Sequence, residues 1–145
     1  MSDLSAQRAY VSDTVALVLW LEKRKLPQAV AGIFGSALEE PDVHTVWIPA
    51  IALAEIGYLY EKGRIEISPS DVLSFMQNSP QAFQFRSLDA AIIINAFGIN
   101  DIPELHDRLI AGTAFYLDCP VLTNDPDMEK SRFIKTIWKR GNTIC

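Results

Sequence analysis

The chain has 145 residues, a formal charge of −5 and 49% apolar residues. That length suits one domain, spanning 1–145, with room for an ordinary hydrophobic core. The charge argues against a broad basic face for duplex nucleic acid, the absence of a long apolar run argues against a membrane-spanning helix, and two cysteines, Cys119 and Cys145, make neither a disulfide framework nor a zinc site.

The N-terminus lacks a basic-then-apolar signal pattern, so a reduced cytoplasm is the expected location. Ala9 to Ser12 reads as a short strand that ends at Asp13. Helical spacing follows from Thr14 to Arg24, with Leu17, Trp20 and Leu21 on one side. Pro27 opens a second helix that runs to Glu40. His44 to Ile48 is β-branched and aromatic, hence a strand. Pro49 suits a helix start, because its missing N–H has no helical partner there. That helix carries Glu55 in its second turn and stops near Gly63.

Pro69 to Met76 reads as a helix, Gln81 to Phe85 as a half-buried strand, and Leu88 to Ala96 as a helix ended by Gly98. Asn100-Asp101-Ile102-Pro103 opens the next helix, which holds Asp107 about one turn in. Val121-Leu122-Thr123 is a strand running into Asp125, and Phe133 to Trp138 is a last one. Strands alternating with helices throughout imply a parallel, doubly wound α/β sheet. Ligands bind such sheets at the carboxyl ends of the strands. Asp13 and Asp125 both belong to that edge.

Four acids therefore stand out: Asp13, Glu55, Asp107 and Asp125. Each has an ordinary reading by itself. Asp13 before Thr14 is either a helix cap or a ligand. Asp107 is either an exposed first-turn acid or a ligand. Asp125 before Pro126-Asp127 is either a turn or cap residue or a ligand. Glu55 is more telling, because its helix is apolar nearly all round and a lone semi-buried acid is costly without a partner. Two carboxylates at about 4 Å repel by roughly 4 kcal/mol near a surface. A cluster of four needs cations or protons to hold it together. All-oxygen ligands select hard ions, Mg²⁺ or Mn²⁺, which activate water and steady charge on a phosphodiester. The pattern thus points to metal-dependent cleavage of a phosphodiester.

These residues resemble a known family over nearly the whole chain. Val11-Ser12-Asp13-Thr14 with Ala16-Leu17, Ile48-Pro49-Ala50 through Glu55-Ile56 with Glu61-Lys62-Gly63-Arg64, His106-Asp107-Arg108-Leu109-Ile110-Ala111, and Val121 through Asp125 with Asp127 match in order and spacing the four acidic motifs of PIN domains. The likeness is to the VapC-like toxin ribonucleases of type II toxin–antitoxin pairs. It implies an α/β/α sandwich, Mg²⁺- or Mn²⁺-dependent endoribonuclease activity on RNA, frequent homodimers and a cognate antitoxin. By match, Asp13, Glu55 and Asp107 are core metal ligands, and Asp125 is a fourth acid acting directly or through water. Thr14 and Thr123 orient ligands or the attacking water, with Asp127 a weaker candidate. Ser12 and Val15 depart from the usual residues at their positions but leave the four acids intact.

Other features carry two readings. His106 contacts substrate or metal, or is a surface residue at a helix start. Trp20, Trp47 and Trp138 stack bases or pack. Val30, Ile33, Phe34 and Leu38 line a partner groove or belong to the core. The basic run Lys130, Arg132, Lys135, Lys139 and Arg140 is a solvated face or a phosphate-contacting edge. Two competing functions are a non-catalytic PIN-like scaffold and a flavodoxin-like phospho-acceptor. The second has Asp89 near the third strand but no paired acid beside Asp13.

Overall fold

The computed structural model describes residues 8–139. Five strands form one parallel sheet in the order β3-β2-β1-β4-β5. They are β1 (Arg8–Ser12), β2 (His44–Pro49), β3 (Phe83–Arg86), β4 (Val121–Leu122) and β5 (Thr136–Ile137). Seven helices connect and cover them: α1 (Thr14–Leu21), α2 (Gln28–Glu39), α3 (Ala50–Glu61), α4 (Pro69–Asn78), α5 (Ala90–Gly98), α6 (Leu105–Leu117) and α7 (Pro126–Lys130).

Strand alternation sorts the side chains into two layers. Tyr10, Val46, Ile48 and Leu122 face a core built with α1, α2 and α4, where Leu17, Phe34 and Val72 are fully buried. Val11, Trp47 and Val121 face the opposite core, where Ile110, Ala111 and Ala114 of α6 and Met128 of α7 pack. The expected three-layer α/β/α sandwich is therefore present. Parallel strands buried on both faces explain why they read as apolar runs.

The chain builds the sheet outward from β1 through β2 to β3, then returns to the other side of β1 for β4 and β5. The direction reverses between β1 and β4. A crevice opens at the carboxyl ends of the strands at such a switch point. Val11 and Ser12 pair with Val121 and Leu122, and the Asp13 N–H donates to the Leu122 carbonyl at 3.2 Å. The two strand-end motifs are thus fixed side by side.

Several local expectations are corrected. The helix of Asp107 starts at Leu105, because Glu104 caps it, and Asn100-Asp101 forms a turn before Ile102. The last strand shrinks to Thr136–Ile137. Ser131 and Arg132 instead bond to the Asp101 carboxylate, at 2.8 Å from the hydroxyl and 2.9 Å from the backbone N–H. Of the turn and cap readings of Asp125, the cap is the one the structure has, with Pro126 starting a short helix. Trp20 stacks on Phe34 at 5.1 Å, which makes it a packing residue and places Phe34 in the core rather than in an open groove. Of the basic C-terminal run, Arg140 lies outside the described residues. No helix among the described residues is long and apolar enough to cross a membrane.

Candidate functional site

Asp13 ends the backbone path of β1 and caps α1. Its extended backbone turns the carboxylate back, so that it accepts from the Ala16 N–H at 2.8 Å. The next residue, Thr14, donates its hydroxyl to Oε1 of Glu55 from α3. α3 follows β2 without a break, with Pro49 at the N-cap rather than at the expected first helical position, and that places Glu55 in the second turn, above the strand ends. Asp107 occupies the third position of α6, where its N–H donates to Glu104 Oε1 at 2.8 Å. Asp125 caps α7 by accepting from the Met128 N–H at 3.0 Å.

Asp13, Thr14, Glu55 and Asp107 line one cleft of about 470 Å³. Asp13 is only 5% exposed, and the Glu55 side chain is 26% exposed. Burial pushes the Asp13 carboxyl up to about 6, against hydrogen bonds from Thr123 and Ala16 that favour its charge, and with repulsion from Asp125 and Glu55. Burial also pushes Asp107 up to about 7, reinforced by Asp125, Glu104, Glu55 and Asp13. Asp125 is therefore close enough to act on both, although it does not line the cleft.

Thr123 sits fully buried between the two strand-end acids. Its hydroxyl faces Asp13, and its oxygen accepts from the Asp125 N–H at 3.0 Å. Asp127 is exposed in the first turn of α7 and does not join the group.

His106 enters the site from α6. Its Nδ1 lies 3.2 Å from Glu55 Oε2 and 3.0 Å from Glu104 Oε2. Two carboxylates therefore crowd this one ring nitrogen. Glu104 was not singled out by sequence reasoning. Its signal was available, since an acid three residues before Asp107 and directly after Ile102-Pro103 is a good cap. Tyr58 and Val15, which also line the cleft, were hidden because large apolar residues read as core.

The acids approach without closing on one point. Among the described residues, no group of three His, Cys, Asp or Glu side chains is placed to hold one metal ion. In kind, the donors fit a hard divalent cation. They are carboxylate and hydroxyl oxygens, and burial together with repulsion from neighbouring acids makes two of the acids, Asp13 and Asp107, resist ionisation.

Among solved structures, the VapBC2 complex of Rickettsia felis bound to promoter DNA matches with a TM-score of 0.68 and 17% identity, covering 89% of this chain and 97% of that one. The DNA-bound VapBC complex of Salmonella typhimurium matches at 0.65 and 18%, covering 90% and 98%. FitAcB of Neisseria gonorrhoeae matches at 0.60 and 17%, covering 88% and 96%. At these identities the likeness is one of fold. No curated protein matches the sequence. A family model described as PIN domain matches residues 10–134, which takes in β1 from Tyr10 onward, the whole of α1, α3 and α6, and all four acids, and the chain belongs to the PIN domain family.

Proposed function

We propose that this chain is a divalent-metal-dependent endoribonuclease and the toxin of a toxin–antitoxin pair. PIN domains are generally nucleases and generally use divalent metal ions. The observation that carries the reading is the pair Asp13 and Asp107. They come from a strand end and a helix start far apart in sequence and share one cleft, where the charge of Asp13 adds to the proton affinity of Asp107. The three structural relatives reported above, and a toxin–antitoxin complex from Klebsiella pneumoniae, support the biological role.

Asp13, Glu55 and Asp107 would hold Mg²⁺ or Mn²⁺, with Asp125 as the fourth acid, directly or through water. Bound there, the ion supplies charge to the phosphodiester and activates a water. The chain's own residues do the positioning. Thr14 fixes one oxygen of Glu55. Thr123 holds Asp13 and the backbone of Asp125 in register. The buried floor around Asp13 keeps bulk water from screening the group.

In this reading the whole 1–145 sequence is one PIN domain, working as a homodimer in the cytoplasm with a cognate antitoxin protein as its inhibitor. Incubation of purified protein with total RNA, with Mn²⁺ or with EDTA, tests the activity. Cleavage is expected with the metal, absent with EDTA, and lost in Asp13→Asn and Asp107→Asn. Full activity of either variant would falsify the site. The scaffold alternative draws on the open spacing of the acids. Calorimetry decides between them: no Mn²⁺ binding favours a scaffold without turnover.

A further inference from the structure

The cleft continues past its acids along α3. Tyr58 lies three residues after Glu55, on the same side of the helix, and lines the cleft while remaining 55% exposed. Val15 faces it at 49% exposed. Lys62, a turn further on, sets its Nζ 5.4 Å from the centre of the Tyr58 ring. Seven residues of helix separate Glu55 from Lys62, about 10 Å along the axis.

Beyond Lys62 the chain builds a basic rim. α3 ends in a paired backbone cap, with Gly63 N–H donating to Tyr60 and Arg64 N–H to Leu59. α1 ends in the same way, with Lys23 donating to Trp20 and Arg24 to Leu19. Gly63 holds the left-handed turn of the first at φ 73°, but a lysine, Lys23, holds it in the second at φ 57°. That backbone position favours glycine, so the lysine is kept against a conformational cost. Glu22 fastens the two ends together, with Oε2 accepting from the Glu66 and Ile67 N–H groups at 2.7 and 3.2 Å.

The joined loops hold five basic residues, Lys23, Arg24, Lys25, Lys62 and Arg64, against the three acids Glu22, Glu61 and Glu66, in a chain of net charge −5. Arg24 is committed to Glu22 at 3.3 Å. The other four cations are exposed. Helix-dipole compensation accounts for a cation at each helix end. It accounts neither for Lys25, which lies beyond α1, nor for an exposed tyrosine beneath Lys62.

On the nuclease reading above, we infer that an unpaired nucleobase lies on Tyr58 and that the RNA backbone leaves the cleft over Lys62 onto the rim of Lys23, Lys25 and Arg64. An aromatic face beside a cation recognises any base whose face is open, and a paired base in a duplex has none to offer. The rim supplies the phosphate contacts that the acidic cleft cannot.

The test is anisotropy of a fluorescein-labelled oligouridylate in EDTA, read across salt concentrations. Tyr58→Ala weakens binding about tenfold and Tyr58→Trp restores it. The triple variant Lys23→Gln, Lys25→Gln, Arg64→Gln weakens binding and lowers the salt slope by about 2. The double variant Lys130→Gln, Lys135→Gln, on the far basic run, changes neither. All these side chains are exposed, and thermal melts verify that each variant folds. The inference is overturned by an unchanged slope in the triple variant, by equal loss in the double variant, by duplex RNA competing as well as single strands, or by wild type that does not bind the oligonucleotide. Cleavage with Mn²⁺ is followed in parallel. Binding through the rim without any cleavage defeats the nuclease reading and leaves the rim standing. Cleavage with an unchanged KM in the triple variant defeats the rim alone.

Discussion

Nδ1 of His106 sits 3.2 Å from Oε2 of Glu55, the oxygen that Thr14 leaves open. A cation held at that oxygen competes with the imidazole for it. A part-exposed contact of this kind is worth up to about 1 kcal/mol, or about fivefold in binding. His106→Ala is therefore expected to tighten Mn²⁺ binding several-fold in calorimetry. Weaker binding would show that the ring holds Glu55 ready instead.

The raised carboxyls set the pH response of the metal-free protein. Asp13 at about 6 and Asp107 at about 7 hold their protons more tightly when folded than at their ordinary value of 3.8. Across that window the folded state binds more protons than the unfolded chain, so stability falls as pH rises from about 4 to about 7, and these groups add no further slope above. Melting in EDTA is expected at a lower temperature at pH 8 than at pH 5.5. Mn²⁺ at pH 8 reverses the difference by binding only the folded state. A melting temperature in EDTA that does not change with pH removes this account.

Asp13 has a second duty as the cap of α1. Asparagine caps as well as aspartate, while alanine does not, at a cost of about 1 kcal/mol. Asp13→Asn is expected to melt at or above wild type at pH 8, with cleavage reduced about 100-fold or more, as a ligand should matter at least as much as the groups that support it. Asp13→Ala is expected to lose both cleavage and some thermal stability. Equal melting temperatures for the two variants would remove the cap from the argument.

Gly112 lets α6 lie against α5. A Cβ there would stand 2.6 Å from Cβ and 2.8 Å from Cα of Ala96, and the second of these is backbone. α5 must shift to admit it, at about 1 to 3 kcal/mol. Gly112→Ala is expected to lower the melting temperature by several degrees. Because α6 also carries Asp107, Mn²⁺ binding should weaken with it. Gly32 and Gly35 have open space at the same test, so alanine there serves as the control.

Much of this was legible in the chain. Short apolar strands before Asp13 and Pro49 are long-range β pairs with local signatures, and Pro49 marks where the next helix begins. Three of the acids were found because they stand at a strand or helix end, and Glu55 because it is a lone acid on an apolar helix. What was not legible depended on partners distant in sequence. Just before the strand expected at Phe133, Ser131 and Arg132 are held by the carboxylate of Asp101, some thirty residues earlier, and the strand itself is only Thr136–Ile137. Glu22 carries no signal in the sequence, yet only 11% of its side chain is exposed, and it binds a loop more than forty residues away. Tyr58 and Ile94 fit an apolar helical pattern, but the fold leaves their faces open. Periodicity says which residues are apolar and not which of them find a neighbour.

The double duty of the strand-end acids bears on how such a chain would decay. Asp13 and Asp125 each begin a helix, whereas Glu55 sits inside one, where it starts and stops nothing. A lineage drifting toward inactivity is free to replace Glu55 with almost any helix former. At 13 and 125 it is confined to asparagine, serine or threonine, which keep the fold after the chemistry has gone. Silent descendants of this protein would therefore be recognised by polar capping residues still standing where the acids were.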